Sequence, residues 1–313
     1  MSKLDYVHLP PYRVDLQHVP HSEKDGVDWA LTSYSIPDLW QRTKGEGVTV
    51  AVIDSGVAPH YALENVVDRR NFSSDSEVYD TLGHGTHVAG VIGAAKGPAK
   101  GIAPGCKIIA LKVLGHSGMG SNDAVATAVR FAAEADVDLI CMSLGSPGPS
   151  ANVHQAIQYA TGKGVIVICA AGNDGGAVNF PAAFHETVAV GAVDKHGNVC
   201  DFSSRGKEIV VAAPGQDITS TWLADGYATI SGTSMAAPFV AGVLALYLSH
   251  HGPATHAAIM AALSESARDA GPPGHDNTYG WGLMDPARLL GPQVKAQSAE
   301  DGVTIFIPGA RIL

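Results

Sequence analysis

The chain has 313 residues, 46% of them hydrophobic and only 16% charged, enough apolar material for a sizeable core in one large domain or two. Its formal net charge of −10 argues against nucleic acid or an anionic membrane surface as a partner. The opening MSKLDYVHLPPYRV has no apolar h-region, and no window approaches an uninterrupted apolar span long enough to cross a bilayer, so neither a secretory signal nor a bilayer-crossing helix is expected. The cysteines, Cys106, Cys141, Cys169 and Cys200, form no CxxC pair. Reduced thiols in a cytoplasmic protein are the expectation.

Residues 1–25 are polar and proline-bearing and read as an N-terminal extension. Helical spacing begins at 36–43. The run 48–54 (VTVAVID) is short and almost wholly apolar, the pattern of a strand buried on both faces of a parallel sheet. A helix is expected over 84–95 and another such strand over 107–113 (KIIALKV). The helical pattern of 121–135, opened by Ser121, precedes the strand 137–143 (VDLICMS). Ser150 opens a helix over 150–163, and the strands 165–171 (VIVICAA) and 187–193 (TVAVGAV) follow. Helices over 234–250 and 254–266 close a domain spanning 26–290, and 291–313 is a tail with a short strand-like VTIFI. Strand and helix taking turns predict a doubly wound α/β fold, a mainly parallel sheet flanked by helices.

Ligands bind such sheets beyond the carboxyl ends of the strands. Those ends carry Asp54, then Ser143-Leu144-Gly145, then Gly172-Asn173, while His84 and Ser234 open helices facing the same rim. Taken singly, each has an ordinary structural reading: Asp54 and Asn173 as turn residues, Ser234 as a helix cap. The stretch DTLGHGTHVAGVIG also holds His84 and His87 at i, i+3 spacing, compatible with a metal pair. HExxH is absent, however, and no Cys or His cluster supplies a third ligand. Taken together, the four residues fit acyl transfer. A serine hydroxyl needs a base to take its proton, and histidine is suited to that by its pKa. An acid fixes the histidine, and an amide with a helix-start N–H receives the oxyanion. His84, at a helix start, is expected to be exposed.

AVIDSG, GHGTHVAG, SLG, AAGN and SGTSMAAP, in this order, resemble the subtilisin-like serine proteases over roughly 36–290. The resemblance implies a serine endopeptidase working through an acyl-enzyme, with Asp54 as orienting acid, His84 as base, Ser234 as nucleophile and Asn173 as oxyanion donor. His87 is left to packing or a structural hydrogen bond. It further implies a peptide groove between Ser143-Leu144-Gly145 and Gly118-Met119-Gly120, which would bind the substrate as an added strand. A pocket walled by Ala170-Ala171-Gly172 and Ser143–Gly145, with Asn179 near its floor, would suit large apolar or aromatic residues before the scissile bond.

The N-terminal segment is similar to that of the intracellular subtilisins, which carry Leu-Ile-Pro-Tyr where this chain has Leu9-Pro10-Pro11-Tyr12. The implied role is regulatory, lying in the groove and restraining activity. No cofactor is needed for the chemistry. Structural calcium is a further expectation from the family, with Asp75, Glu77 and Asp80 or the 177–181 loop as candidate holders. A peptide or protein substrate is the expected partner, with a second copy in a homodimer as a further expectation. A maturation protease dedicated to one precursor and a catalytically silent binding protein are the alternative readings.

Overall fold

A computed structural model describes residues 6–17 and 28–292. The remainder of the N-terminal extension and residues 293–313 of the tail lie outside the described residues. In chain order, β1 (Tyr6–His8) and β2 (Arg13–Gln17) precede two short helices, α1 (Trp29–Ser33) and α2 (Ile36–Leu39). β3 (Thr49–Asp54), β4 (Val66–Asn71), α3 (His84–Gly93), β5 (Lys107–Lys112), β6 (Met119–Ser121) and α4 (Asn122–Glu134) follow. The second half holds β7 (Leu139–Met142), α5 (Ala151–Gly162), β8 (Ile166–Ala170), β9 (Thr187–Val193), β10 (Ile209–Pro214), β11 (Ile218–Thr221) and β12 (Tyr227–Ser231). It ends with α6 (Thr233–His251), α7 (His256–Ser266) and α8 (Pro286–Leu289).

Seven strands form one parallel sheet in the order β10-β9-β8-β7-β3-β5-β4. The five apolar runs read from the sequence are five of its strands. β4 and β10, at the two edges, escaped that reading. β4 carries VVDRRN with only Val66 fully buried, so it lacks the continuous apolar signature. β10 ends in Pro214, which an edge position tolerates because no ladder donor is needed there. Two smaller antiparallel sheets, β1-β6 and β11-β12-β2, recruit the N-terminal segment.

Period-two alternation divides the strand side chains between two cores. Val50, Val52, Ile108, Ala110, Cys141 and Ile168 face the layer of α3 and α6. Ala51, Ile53, Ile109, Leu111, Met142 and Cys169 face the layer of α4 and α5. Ser121 and Ser150 cap α4 and α5 as read, accepting from the N–H of Ala124 and Val153. α6 is long and apolar enough, by length and composition alone, to cross a membrane. In this fold 83% of that stretch is buried inside the protein, which identifies its apolar surface as core lining. All four cysteines are buried and free.

His87 ties the layers together. Its Nε2 lies 3.1 Å from the Ile218 carbonyl and 3.0 Å from that of Ala228, so it carries the hydrogen and bridges α3 to β11 and β12. Burial, with the neighbouring His84, pushes its pKa from the ordinary 6.5 down to about 3. The folded chain therefore holds His87 neutral where the unfolded chain would protonate it. Its stabilising contribution is complete above pH 6.5 and is lost as the pH falls toward 3. Replacing it (His87→Gln) is expected to lower stability near pH 7. Because the variant lacks this proton linkage, its deficit should narrow between pH 6.5 and 4 by up to about 1.4 kcal/mol per pH unit. Chemical unfolding across that range checks this, and parallel stability curves would contradict it.

Candidate active site

Asp54 ends β3, an inner strand of the sheet between β7 and β5, and both its side chain and that of His84 are fully buried. His84 Nδ1 lies 2.8 Å from Asp54 Oδ1, which also accepts the Ser55 N–H at 2.7 Å. The approach requires Gly85 to lack a side chain: a Cβ there would stand 2.1 Å from the Gly56 carbonyl and 3.2 Å from the Asp54 carboxylate.

α3 begins at His84 without a capping side chain, since its N-cap is Gly83 at φ 92°. Asp80 supplies the missing acceptor from outside. One carboxylate oxygen accepts from Ser55 Oγ and the N–H groups of Leu82 and Gly83, and the other from the N–H and Oγ1 of Thr86. Ser55 Oγ in turn accepts the Gly85 N–H at 2.9 Å. This anion at a helix start is stabilised by the unpaired donors it meets, and it fixes where His84 stands. An aspartate just ahead of a GHG helix start was the available signal, overlooked because Asp80 was read as a loop acid.

Ser234 sits in the first turn of α6 and is fully buried. Pro238, four residues on, has no N–H to give the Ser234 carbonyl, and Ser143 Oγ donates to it instead at 2.9 Å. Ser234 Oγ donates to the Ser143 carbonyl at 3.4 Å, while His84 Nε2 has no hydrogen-bond partner. The expected contact among all three residues is therefore made between acid and imidazole and left open between imidazole and alcohol. His84 is also not exposed as expected: the Tyr12 ring lies over it, centroids 5.1 Å apart.

Asn173 follows β8 with its amide locked, Oδ1 accepting from the N–H and Oγ1 of Thr233 at 2.8 and 2.7 Å. Nδ2 is thereby turned outward and donates to the Pro11 carbonyl at 3.2 Å. Thr233, which sets this orientation from the position before Ser234, was not singled out in the sequence.

The two groove edges come together around the N-terminal segment. β1 pairs antiparallel with β6, Val7 opposite Gly120 and His8 opposite Met119. His8 exchanges both backbone hydrogen bonds with Gly145 at 2.9 and 3.0 Å, and the Leu9 N–H donates to the Gly118 carbonyl at 3.0 Å. Pro10 is buried. The pocket walls also meet: the Asn179 N–H donates to the Ala171 carbonyl, and Ser146 and Phe180 exchange backbone hydrogen bonds. A Cβ on Gly172, at φ 119°, would collide with Asn179 Nδ2 at 2.4 Å. Leu144, Ala170 and Ala171 are buried in the core, so they can offer a ligand little but backbone, whereas Met119 is half exposed.

Asp75, Glu77 and Asp80 do not gather into a cation site. Asp80 is committed as described, and Asp75 pairs with His116 at 3.2 Å and faces Lys112 Nζ at 3.6 Å. Lys112 is fully buried, opposite Asp54 in the β3–β5 ladder. Its ammonium donates to the carbonyls of Ser55 and Leu114, linking the acid strand to the start of the groove-edge loop.

The model of the subtilase family matches residues 45–282. An intracellular serine protease of Paenibacillus polymyxa is 38% identical over 255 residues, 77% of either chain. Subtilisin Savinase of Lederbergia lenta is 38% identical over 264 residues, 83% of this chain and 97% of its own. The minor extracellular protease Epr of Bacillus subtilis is 35% identical over 288 residues, 88% of this chain and 43% of its own. The chain belongs to the subtilase family and is a subtilisin-like serine protease.

Proposed function

We propose that this enzyme is an endopeptidase in which Asp54, His84 and Ser234 act as a triad and Asn173 as oxyanion donor. The observation that carries the reading is the buried 2.8 Å Asp54–His84 hydrogen bond, which leaves Nε2 as the free nitrogen. In the reaction Ser234 Oγ attacks the peptide carbonyl while His84 Nε2 takes its proton. Asp54 holds the tautomer and offsets the imidazolium charge. The carbonyl oxygen, now anionic, is met by Asn173 Nδ2 and by the Ser234 N–H, in a first helical turn where backbone donors lack partners. His84 then protonates the departing amine, and water releases the acyl group by the same steps in reverse. The small-residue walls at 143–145 and 170–172 favour broad specificity with large apolar residues before the scissile bond.

The segment through Tyr12 acts, in this reading, as a tethered poor substrate. His8 bonds to one wall and Leu9 to the other, so by alternation the next residue, Pro10, faces Ser143. A substrate residue there would give its N–H to the Ser143 carbonyl; proline has none, and the Ser234 hydroxyl turns to that carbonyl instead. The bond after Pro10 joins two prolines, and it is the Pro11 carbonyl that engages Asn173. Burial, with Asp54 and Asp80 nearby, raises the Tyr12 phenol to about 12, so it stays neutral over His84. A cytoplasmic location is supported by the four free cysteines and by likeness to an intracellular relative.

Peptide-substrate kinetics test the chemistry. Ser234→Ala is expected to lower kcat by about 10⁶-fold, the loss recorded for the matching residue of subtilisin itself. Asn173→Ala should cost about 10²–10³-fold in kcat with little change in KM, again the range recorded in subtilisin. Retained turnover in Ser234→Ala would remove the assignment. For the restraint, deleting residues 1–20 should speed both peptide hydrolysis and labelling of Ser234 by a fluorophosphonate. Equal rates with and without the segment would end that part of the reading.

A further inference from the structure

We propose that His154, His185 and Glu186 form a divalent transition-metal site, separate from the catalytic residues. Among the described residues they are the one group of three potential ligand side chains whose donor atoms all lie within 4.8 Å of one another. His154 Nε2 is 3.0 Å from both Glu186 oxygens, and His185 Nδ1 is 3.1 Å from Glu186 Oε2. Bonds of about 2.0–2.2 Å place neighbouring tetrahedral ligands roughly 3.3 Å apart, so both His–Glu spacings already suit an ion. The two imidazoles need approach each other by roughly 1.5 Å at most.

The surroundings hold the ligands in place. The His154 ring stacks on Phe184, 4.1 Å away and 2° from parallel. Gln158 Nε2 donates to Glu186 Oε1 at 2.9 Å, the outer-shell support that orients a ligating carboxylate. Burial raises the Glu186 pKa, but hydrogen bonds from Gln158, its own backbone and His154 outweigh that and leave it below the ordinary value, so it is ionised at neutral pH. The exposed side chain of His185 leaves an entry path and room for water as a fourth ligand. His256, at the start of α7, feels the charge of both His185 and Glu186, and its buried Nδ1 has no hydrogen-bond partner. Two imidazoles and one carboxylate select Zn²⁺, Co²⁺ or Ni²⁺ over Ca²⁺ and Mg²⁺, which want oxygen shells.

His154 lies in the first turns of α5, and His185–Glu186 lead into β9. Between them the chain passes Asn179 and Phe180, the latter hydrogen-bonded to Ser146 in the pocket wall. A bound ion would cross-link α5 to the loop that backs this pocket.

The test uses the full chain with Ser234→Ala, to prevent self-digestion, stripped with a chelator. Titration with Co²⁺ should give a saturable visible absorption band at one equivalent, and Zn²⁺ should raise the unfolding temperature. Both responses should weaken at least tenfold in His154→Ala and in His185→Ala. His185 is exposed, so its removal does not threaten folding, and metal-free unfolding temperatures of both variants check this. No saturable binding, or equal binding in parent and variants, would overturn the site.

Discussion

The hydrogen bond between Asp54 and His84 is made with both side chains wholly out of water, where an uncompensated carboxylate costs several kcal/mol or more. Much of the surrounding architecture offsets that cost. The Ser55 N–H meets the same oxygen, and Gly85 keeps the path between α3 and β3 clear. Asp80 caps α3 so that the imidazole cannot drift. Lys112, on the adjacent strand, donates its ammonium to the Ser55 carbonyl next to Asp54 and braces the end of β3. Remove the central bond and these supports lose their common purpose.

The alcohol is held differently. Its helix starts after β12 and includes a proline that strips the Ser234 carbonyl of its helical donor. Ser143, at the end of β7, fills the gap in one direction and receives the Ser234 hydroxyl in the other. Ser143 thus stands at the junction of nucleophile, groove edge and pocket wall. In the presence of a segment with proline at the critical position, its carbonyl is open to the serine.

The N-terminal segment completes three surfaces at once. β1 fills the gap between β6 and Gly145, Tyr12 covers His84, and β2 adds a third strand to the β11–β12 hairpin. Each unpaired edge it covers would otherwise expose a row of backbone donors and acceptors. Covering His84 and satisfying those edges are one structural act, which explains how so short a segment can be held in place.

Much of this was legible in the chain itself. Local periodicity identified the five central strands, because burial on both faces demands continuous apolar runs. The serine caps at 121 and 150 and the motifs around Asp54, His84, Asn173 and Ser234 were likewise readable, since each requires particular residue types at short spacing. β4 was not, because VVDRRN at a sheet edge lacks that pattern; β10 carries a continuous apolar run, IVVAAP, but its closing proline argues against a strand. Nor were Asp80, Thr233 and Lys112, whose partners lie on other elements. Local residue patterns set the parallel α/β layering and marked four polar side chains as candidates for its rim. Packing between segments far apart in the chain put Tyr12 over His84, turned Ser234 to Ser143, and brought His154 within a few ångströms of His185 and Glu186. Distances between segments far apart in the chain are fixed by how layers pack, and no local pattern of residues encodes them.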